Sequence, residues 1–200
     1  KGNRKLLQKK SIAILGDKDV SPQGQKISFL AGQELAAHGI PVISGFASGV
    51  DLIAHRAALV NGGSTIAILP YGIKRIKAHE ELRDLDDPDR FLLISPFYPS
   101  LEANRFQAFI RNRIACALSY AVFIVEAPED GGIFEAAKSA VKLKIPLYTA
   151  EYSQYPDNAR GNARILKELA GIPVRGRTVD EMRVPNMDRI IAHTKFDTIT

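Results

Sequence analysis

Cysteine is nearly absent: Cys116 stands alone among 200 residues. It lies in an apolar stretch with no CxxC or Cys/His spacing around it, which excludes an internal disulfide and leaves no framework for structural zinc. A reducing cytoplasm is the compartment such usage implies. Long hydrophobic runs are also missing. Nothing approaches the ~18–20 apolar residues that span a bilayer, and the basic start Lys1–Lys10 leads into only a short apolar stretch before Asp17, unlike a secretory leader. There is no internal repeat and no low-complexity tract. No Ser/His/Asp order and no cluster of metal ligands occurs, so neither a catalytic triad nor a metal site is expected. The chain opens on Lys1 rather than Met, from which we expect that residues preceded it.

What is present fits a globular chain. With 46% hydrophobic and 24% charged residues, 200 residues suffice for one domain with a sizeable core. The net charge of +5 leans toward polyanionic partners, but clustering of charge carries more information than its total.

Short β-branched runs alternate with amphipathic segments. Strands are expected at Ser11–Gly16, Ile40–Ser44, Ser64–Leu69, Phe91–Ser95, Ala121–Val125 and Ile145–Thr149. Helices are expected at Pro22–His38, Leu52–Val60, 109–118 and 133–143. Such βαβ repetition with right-handed crossovers predicts an α/β, Rossmann-like, doubly wound and mainly parallel sheet with helices on both faces. Ligands of such sheets gather outside the carboxyl ends of the strands. We expect a basic N-terminal extension over 1–10, the Rossmann-like domain over 11–183 and an extended or partly ordered tail over 184–200. A short helix is expected near Val179–Met182, and polar loops at Asp84–Arg90 and Tyr152–Asn162.

Three segments carry possible chemistry. Ser44-Gly45-Phe46-Ala47-Ser48-Gly49-Val50-Asp51 links a strand to a helix. Its glycines allow close backbone approach, Ser48 adds a hydroxyl, and the helix start offers unpaired N–H groups, together an anion cradle. The same segment also reads as a tight turn with Asp51 capping the helix. Gly16-Asp17-Lys18-Asp19 closes the first strand and places Lys18 at the same edge, either for phosphate or as an exposed lysine balanced by its acidic neighbours. In Arg105–Ser119, an apolar stripe of Phe106, Phe109, Ile110, Ile114, Ala117 and Leu118 accompanies Arg105, Arg111, Asn112 and Arg113. Arginine forks with an accessible Phe suit a single nucleic-acid strand; equally, the arginines could pair with carboxylates. Glu126, at a strand's carboxyl end, reads as an acid or base, a ribose ligand or, preferentially, an anchor for Arg113. His55 reads as a packed or capped side chain.

SGFASGVDLIAH, FIRNRIACALSYAVFIVEA and NARGNARILKE, taken in order, resemble the DNA-processing protein A (DprA/Smf) family over about residues 11–175. The resemblance implies an extended Rossmann-like fold that binds single-stranded DNA without a cofactor, forms homodimers and loads a RecA-like recombinase during natural transformation. It implies a DNA pocket of Lys18, Gly45, Ser48 and Gly49 with Phe109, Arg111 and Arg113, and with Arg105 as a weaker match; to these we add Gly16 as a phosphate neighbour and Asp51, Asn112 and Glu126 as supports. Two segments depart from the family pattern: Gly16-Asp17-Lys18 replaces the commoner Gly-Ser-Arg, and Asp130–Ala136 replaces SGSLITA. A rival reading is a LOG-like enzyme that cleaves nucleoside monophosphates with Arg113 and Glu135, although its PGGxGTxxE turn is too short here. A nucleotide-sensing module is a third.

Overall fold

The computed structural model describes residues 1–76, 82, 87–179 and 182–195. Seven parallel strands form the central sheet: β1 (Ile12–Leu15), β2 (Val42–Ser44), β3 (Thr65–Ile68), β4 (Phe91–Ile94), β5 (Ala121–Ile124), β6 (Leu147–Ala150) and β7 (Ile172–Val174). Their spatial order is β4-β3-β2-β1-β5-β6-β7. The chain therefore winds outward from β1 to one edge, returns to pair β5 with β1 in the register Ile12↔Ala121 to Leu15↔Ile124, and winds outward again. That reversal puts a topological switch point between the carboxyl ends of β1 and β5, where such sheets hold ligands.

Helices α1 (Pro22–Ala37), α2 (Val50–Val60), α3 (Arg105–Ala117), α4 (Gly132–Lys142) and α5 (Arg160–Glu168) cover both faces. Alternation along the strands decides which face each residue serves. Ile12 and Ile14 join Ala31, Leu35, Val50 and Ala54 of α1 and α2. Ala13 and Leu15 join Ala115 and Cys116 of α3, Phe134 and Ala137 of α4, and Ile165 of α5. Every residue of β1 is buried, as expected for a strand covered on both sides. The doubly wound parallel fold expected from the sequence is the fold observed.

Differences lie at the ends. Around Val179–Met182 the described residues are strands, β8 (Gly176–Val179) and β9 (Met182–Pro185), in antiparallel register Gly176↔Pro185 and Arg177↔Val184. The β-branched Thr178 and Val179 favour extended backbone over the expected helix. Beyond them, α6 (Asp188–Lys195) replaces the expected extended tail; Met187, Ile190 and Ile191 are buried at helical spacing against the sheet. Arg177 ties the hairpin to Glu34 of α1 at 3.2 Å. At the other end, Arg4–Gln8 forms a 3-10 turn that buries Leu6, and Gly2 bridges Leu92 of β4. Of the expected polar loop Asp84–Arg90, residues 84–86 lie outside the described residues; Arg90 closes the rest onto Asp87 at 2.7 Å. The loop expected at Tyr152–Asn162 gives way to α5 at Arg160.

Candidate nucleic-acid interface

At the carboxyl edge of the sheet, the loops after β1 and β2 are stitched together through their backbones. Asp17 N–H donates to the Glu126 carbonyl at 2.9 Å and Val50 N–H to the Asp17 carbonyl at 3.2 Å. Gly49 adopts φ +75°, and a Cβ there would lie 2.3 Å from the Lys18 carbonyl oxygen. Only glycine combines that dihedral with that approach. Gly16 is equally pressed, with a hypothetical Cβ 2.5 Å from Val50.

Gly49 is the N-cap of α2, which has no side-chain cap. The Asp17 carbonyl takes the Val50 N–H, and the positive end of the helix dipole lies beside exposed Ser48 and Lys18. Lys18 is 71% exposed, its ammonium 3.6 Å from Asp19. Asp51 does not cap α2. Its carboxylate accepts from Arg111 at 2.8 Å and lies 2.9 Å from the Ser44 hydroxyl, which also reaches the Ile14 carbonyl at 2.5 Å.

Arg111 therefore points inward. Its side chain is 7% exposed against 3% for Asp51, and its Nε has no hydrogen-bond partner among the described residues. It occupies the space a side chain at Gly45 would need, with Nη1 0.8 Å from a hypothetical Cβ. From the other side the buried His55 ring reaches the Gly45 carbonyl through Nε2 at 2.5 Å and Thr65 through Nδ1 at 2.6 Å. The glycine loop is thus clamped from below by a buried cation and an imidazole, as the packed reading of His55 anticipated.

The outer side of α3 carries Arg105, Phe109 and Arg113 at i, i+4 and i+8, hence on one stripe. Arg105 lies over the Phe109 ring, 5.9 Å from its centroid, and Arg113 is exposed. Asn112 is buried and donates to the Gly132 carbonyl at 3.2 Å, joining α3 to α4. That helix also starts on an uncapped glycine, Gly131, at φ +118°. Phe106 departs from the expected apolar stripe: it is 71% exposed.

Glu126 does not anchor Arg113. Fully buried, it accepts from Ser21 N–H at 2.9 Å, from the Ser21 hydroxyl and from Tyr152 OH at 3.1 Å. It follows β5 onto the face covered by α1, whereas α3 packs on the opposite face. Its carboxylate fills the N-terminus of α1, and a capping box of Asn104 and Gln107 closes that of α3. Among α1 to α4, α2 and α4 are left without side-chain caps. Burial, then the Glu126 charge, pushes the Tyr152 phenol upward, and burial raises the Cys116 thiol to about 12. Glu135, the carboxylate of the hydrolase reading, is half-exposed and paired with Lys138 at 2.7 Å.

Among the described residues, no group of three or more His, Cys, Asp or Glu could hold a metal ion. No helix there is long and apolar enough to cross a membrane.

Residues 1–182 match the DNA recombination-mediator protein A family. The chain is 30% identical over 181 residues to DNA processing protein DprA of Streptococcus pneumoniae, covering 90% of this chain and 64% of that protein. It thus spans less than two thirds of that relative's length. Two solved structures share the fold. DNA processing protein A of Helicobacter pylori, a structure described for its single-stranded DNA binding mode, superposes with TM-score 0.76 at 26% identity, over 86% of this chain and 79% of that one. The Streptococcus pneumoniae DprA structure gives 0.77 at 28% identity, over 87% and 61%.

Proposed function

The chain belongs to the DNA recombination-mediator protein A family, and on that premise we propose that it binds single-stranded DNA without catalysing a reaction. The observation that carries this reading is the start of α2 on Gly49, which has no side-chain cap and is set beside exposed Ser48 and Lys18. Backbone N–H groups and a helix dipole hold phosphate whatever base it carries. The Arg105–Phe109–Arg113 stripe adds two guanidinium groups and an aromatic face. In this reading Arg111, Asp51 and Asn112 shape the pocket from within, and no cofactor takes part.

The family resemblance extends the proposal: a cytoplasmic homodimer protects incoming strands and loads a RecA-like recombinase onto them. Recombinase filament assembly on protein-coated single strands, followed with and without this protein, tests that step.

Binding itself is tested through salt. Each neutralised phosphate on a single strand contributes about 0.7 to the slope of log K against log salt. Lys18→Ala, Arg105→Ala and Arg113→Ala should each lower the slope by about that amount and weaken all sequences alike. A slope near zero in the native protein, or altered base preference at full affinity, contradicts the phosphate grip. The hydrolase reading predicts free base from AMP; the binding account predicts intact AMP.

A further inference from the structure

Two aromatic rings at the same edge stand almost free of the fold. Tyr98 is 75% and Phe106 71% exposed, the two highest values among the large apolar side chains described, and Leu101 between them is 42% exposed. Single exposed apolar residues are ordinary. These three share one connection, from the carboxyl end of β4 to the first turn of α3.

That connection is held firmly. Gly72 N–H donates to the Leu101 carbonyl and Lys74 N–H to the Pro99 carbonyl, both at 2.9 Å, and Leu101 N–H closes back on the Tyr98 carbonyl at 2.9 Å. The Arg75 guanidinium adds Nε to the Ser100 carbonyl at 3.0 Å and an ion pair with Glu102 at 3.2 Å. Gly72 admits the approach, since a Cβ there would lie 2.1 Å from the Tyr98 carbonyl oxygen. The backbone at Phe106 is held by the Asn104–Gln107 capping box at the start of its helix.

Among the described residues of this connection and its clamping turn, cations outnumber carboxylates. Lys74 and Arg75 lie on the clamping turn, Arg105 precedes Phe106, and Glu102 is the one carboxylate in the sequence from 95 to 113. Phe106 sits three residues before Phe109, about 4.5 Å along the helix axis. The surface is therefore continuous along α3 with the stripe already described.

We propose that a DNA strand gripped at the glycine loop continues past Phe109 onto Phe106 and Tyr98, which stack on successive bases while Lys74, Arg75 and Arg105 flank its phosphates. Exposed rings on a firmly held backbone, among cations, suit a strand with exposed π-faces. Duplex DNA, whose bases are already stacked, gains nothing from them. This inference rests on the single-strand reading above and adds the direction in which the strand leaves the pocket.

The test uses oligo-dT of graded length on the full chain. Tyr98→Ala and Phe106→Ala should leave affinity for the shortest bound oligonucleotide unchanged and weaken longer ones by about 5- to 150-fold, the range for loss of one stacked base. The salt slope should not move, because neither residue neutralises phosphate. Lys18→Ala should weaken every length. Quenching of a 2-aminopurine placed beyond the gripped phosphate should be lost in Phe106→Ala and restored in Phe106→Tyr. If wild type binds strands but the aromatic variants match it at all lengths, the track is wrong and the glycine-loop grip stands. If wild type binds no single strand, both fail. If Tyr98→Ala or Phe106→Ala instead shifts the monomer–dimer balance with DNA affinity unchanged, this surface is a subunit contact and the proposal is overturned.

Discussion

Removing Asp51 should unfold the glycine loop's support and much of the protein's stability with it. The Asp51→Ala variant leaves the Arg111 guanidinium, 7% exposed, without its carboxylate in a site where its Nε already has no partner among the described residues. Breaking a buried pair from one side typically costs about 3–5 kcal/mol, since the remaining charge stays desolvated. For a domain of this size that corresponds to a fall in Tm of about 6–20 °C. Arg111→Met should cost a similar amount by stranding Asp51 with only the Ser44 hydroxyl. Removing both charges leaves neither ion buried alone, so the double variant should be less destabilised than the sum of the singles by about 2 kcal/mol or more. Urea denaturation of the four proteins, with m-values compared, measures the cycle. Singles that cost under about 1 kcal/mol, or that add within about 0.5 kcal/mol, would refute the clamp. The same variants separate two roles for Arg111. As a buttress its loss weakens DNA binding while the salt slope is kept; as a phosphate ligand its loss would lower the slope by about 0.7.

Three further outcomes are expected. Gly49→Ala forces a side chain into φ +75° and against the Lys18 carbonyl; it should cost at least about 1–3 kcal/mol in strain and abolish single-strand binding, and native-like affinity would contradict the stitched loops. Glu126→Ala leaves the Ser21 N–H and hydroxyl without their acceptor, while the Tyr152 hydroxyl keeps the Val125 carbonyl at 3.3 Å, so thermal unfolding should occur about 2 °C or more lower, from one or two unsatisfied groups at about 1–3 kcal/mol each; an unchanged Tm would remove Glu126 from the α1 anchor. Cys116 keeps its proton in the native state up to about 12, against 9.0 for the thiol ordinarily. Between these values the unfolded chain loses a proton the native one retains. Stability must therefore fall as pH rises through that window, by at most about 1.4 kcal/mol per pH unit. Cys116→Ala should flatten this part of the alkaline profile, and identical profiles would contradict the burial argument.

The parallel sheet was readable because β-branched runs such as Ile12–Leu15 and Ala121–Ile124 are apolar on both faces and separated by helical spacing. The C-terminal hairpin and α6 were not, since the strands are short and the Met187, Ile190 and Ile191 pattern is too brief to stand out. At the site, the segments brought to one edge were legible from motif order: Gly16 to Lys18, Gly45 to Gly49 and the arginine helix. The directions of individual side chains were not. Arg111 and Arg113 are two residues apart, so they leave α3 about 200° apart, and periodicity does not say which one faces Asp51. Glu126 was assigned to Arg113 because both are charged and close in sequence; the sheet separates them onto opposite faces. Phe106 read as core because its spacing matches Phe109 and Ile110, while its place in the first turn lets it escape the packed layer.

The central claim is that this edge of the sheet grips a single strand by its phosphates. Fluorescence anisotropy of labelled oligo-dT and of the matching duplex, at two salt concentrations with AMP and ATP as competitors, tests it most directly. The account predicts preference for the single strand, steep weakening with salt and indifference to either nucleotide. Absence of DNA binding, or displacement of the strand by micromolar nucleotide, would contradict it.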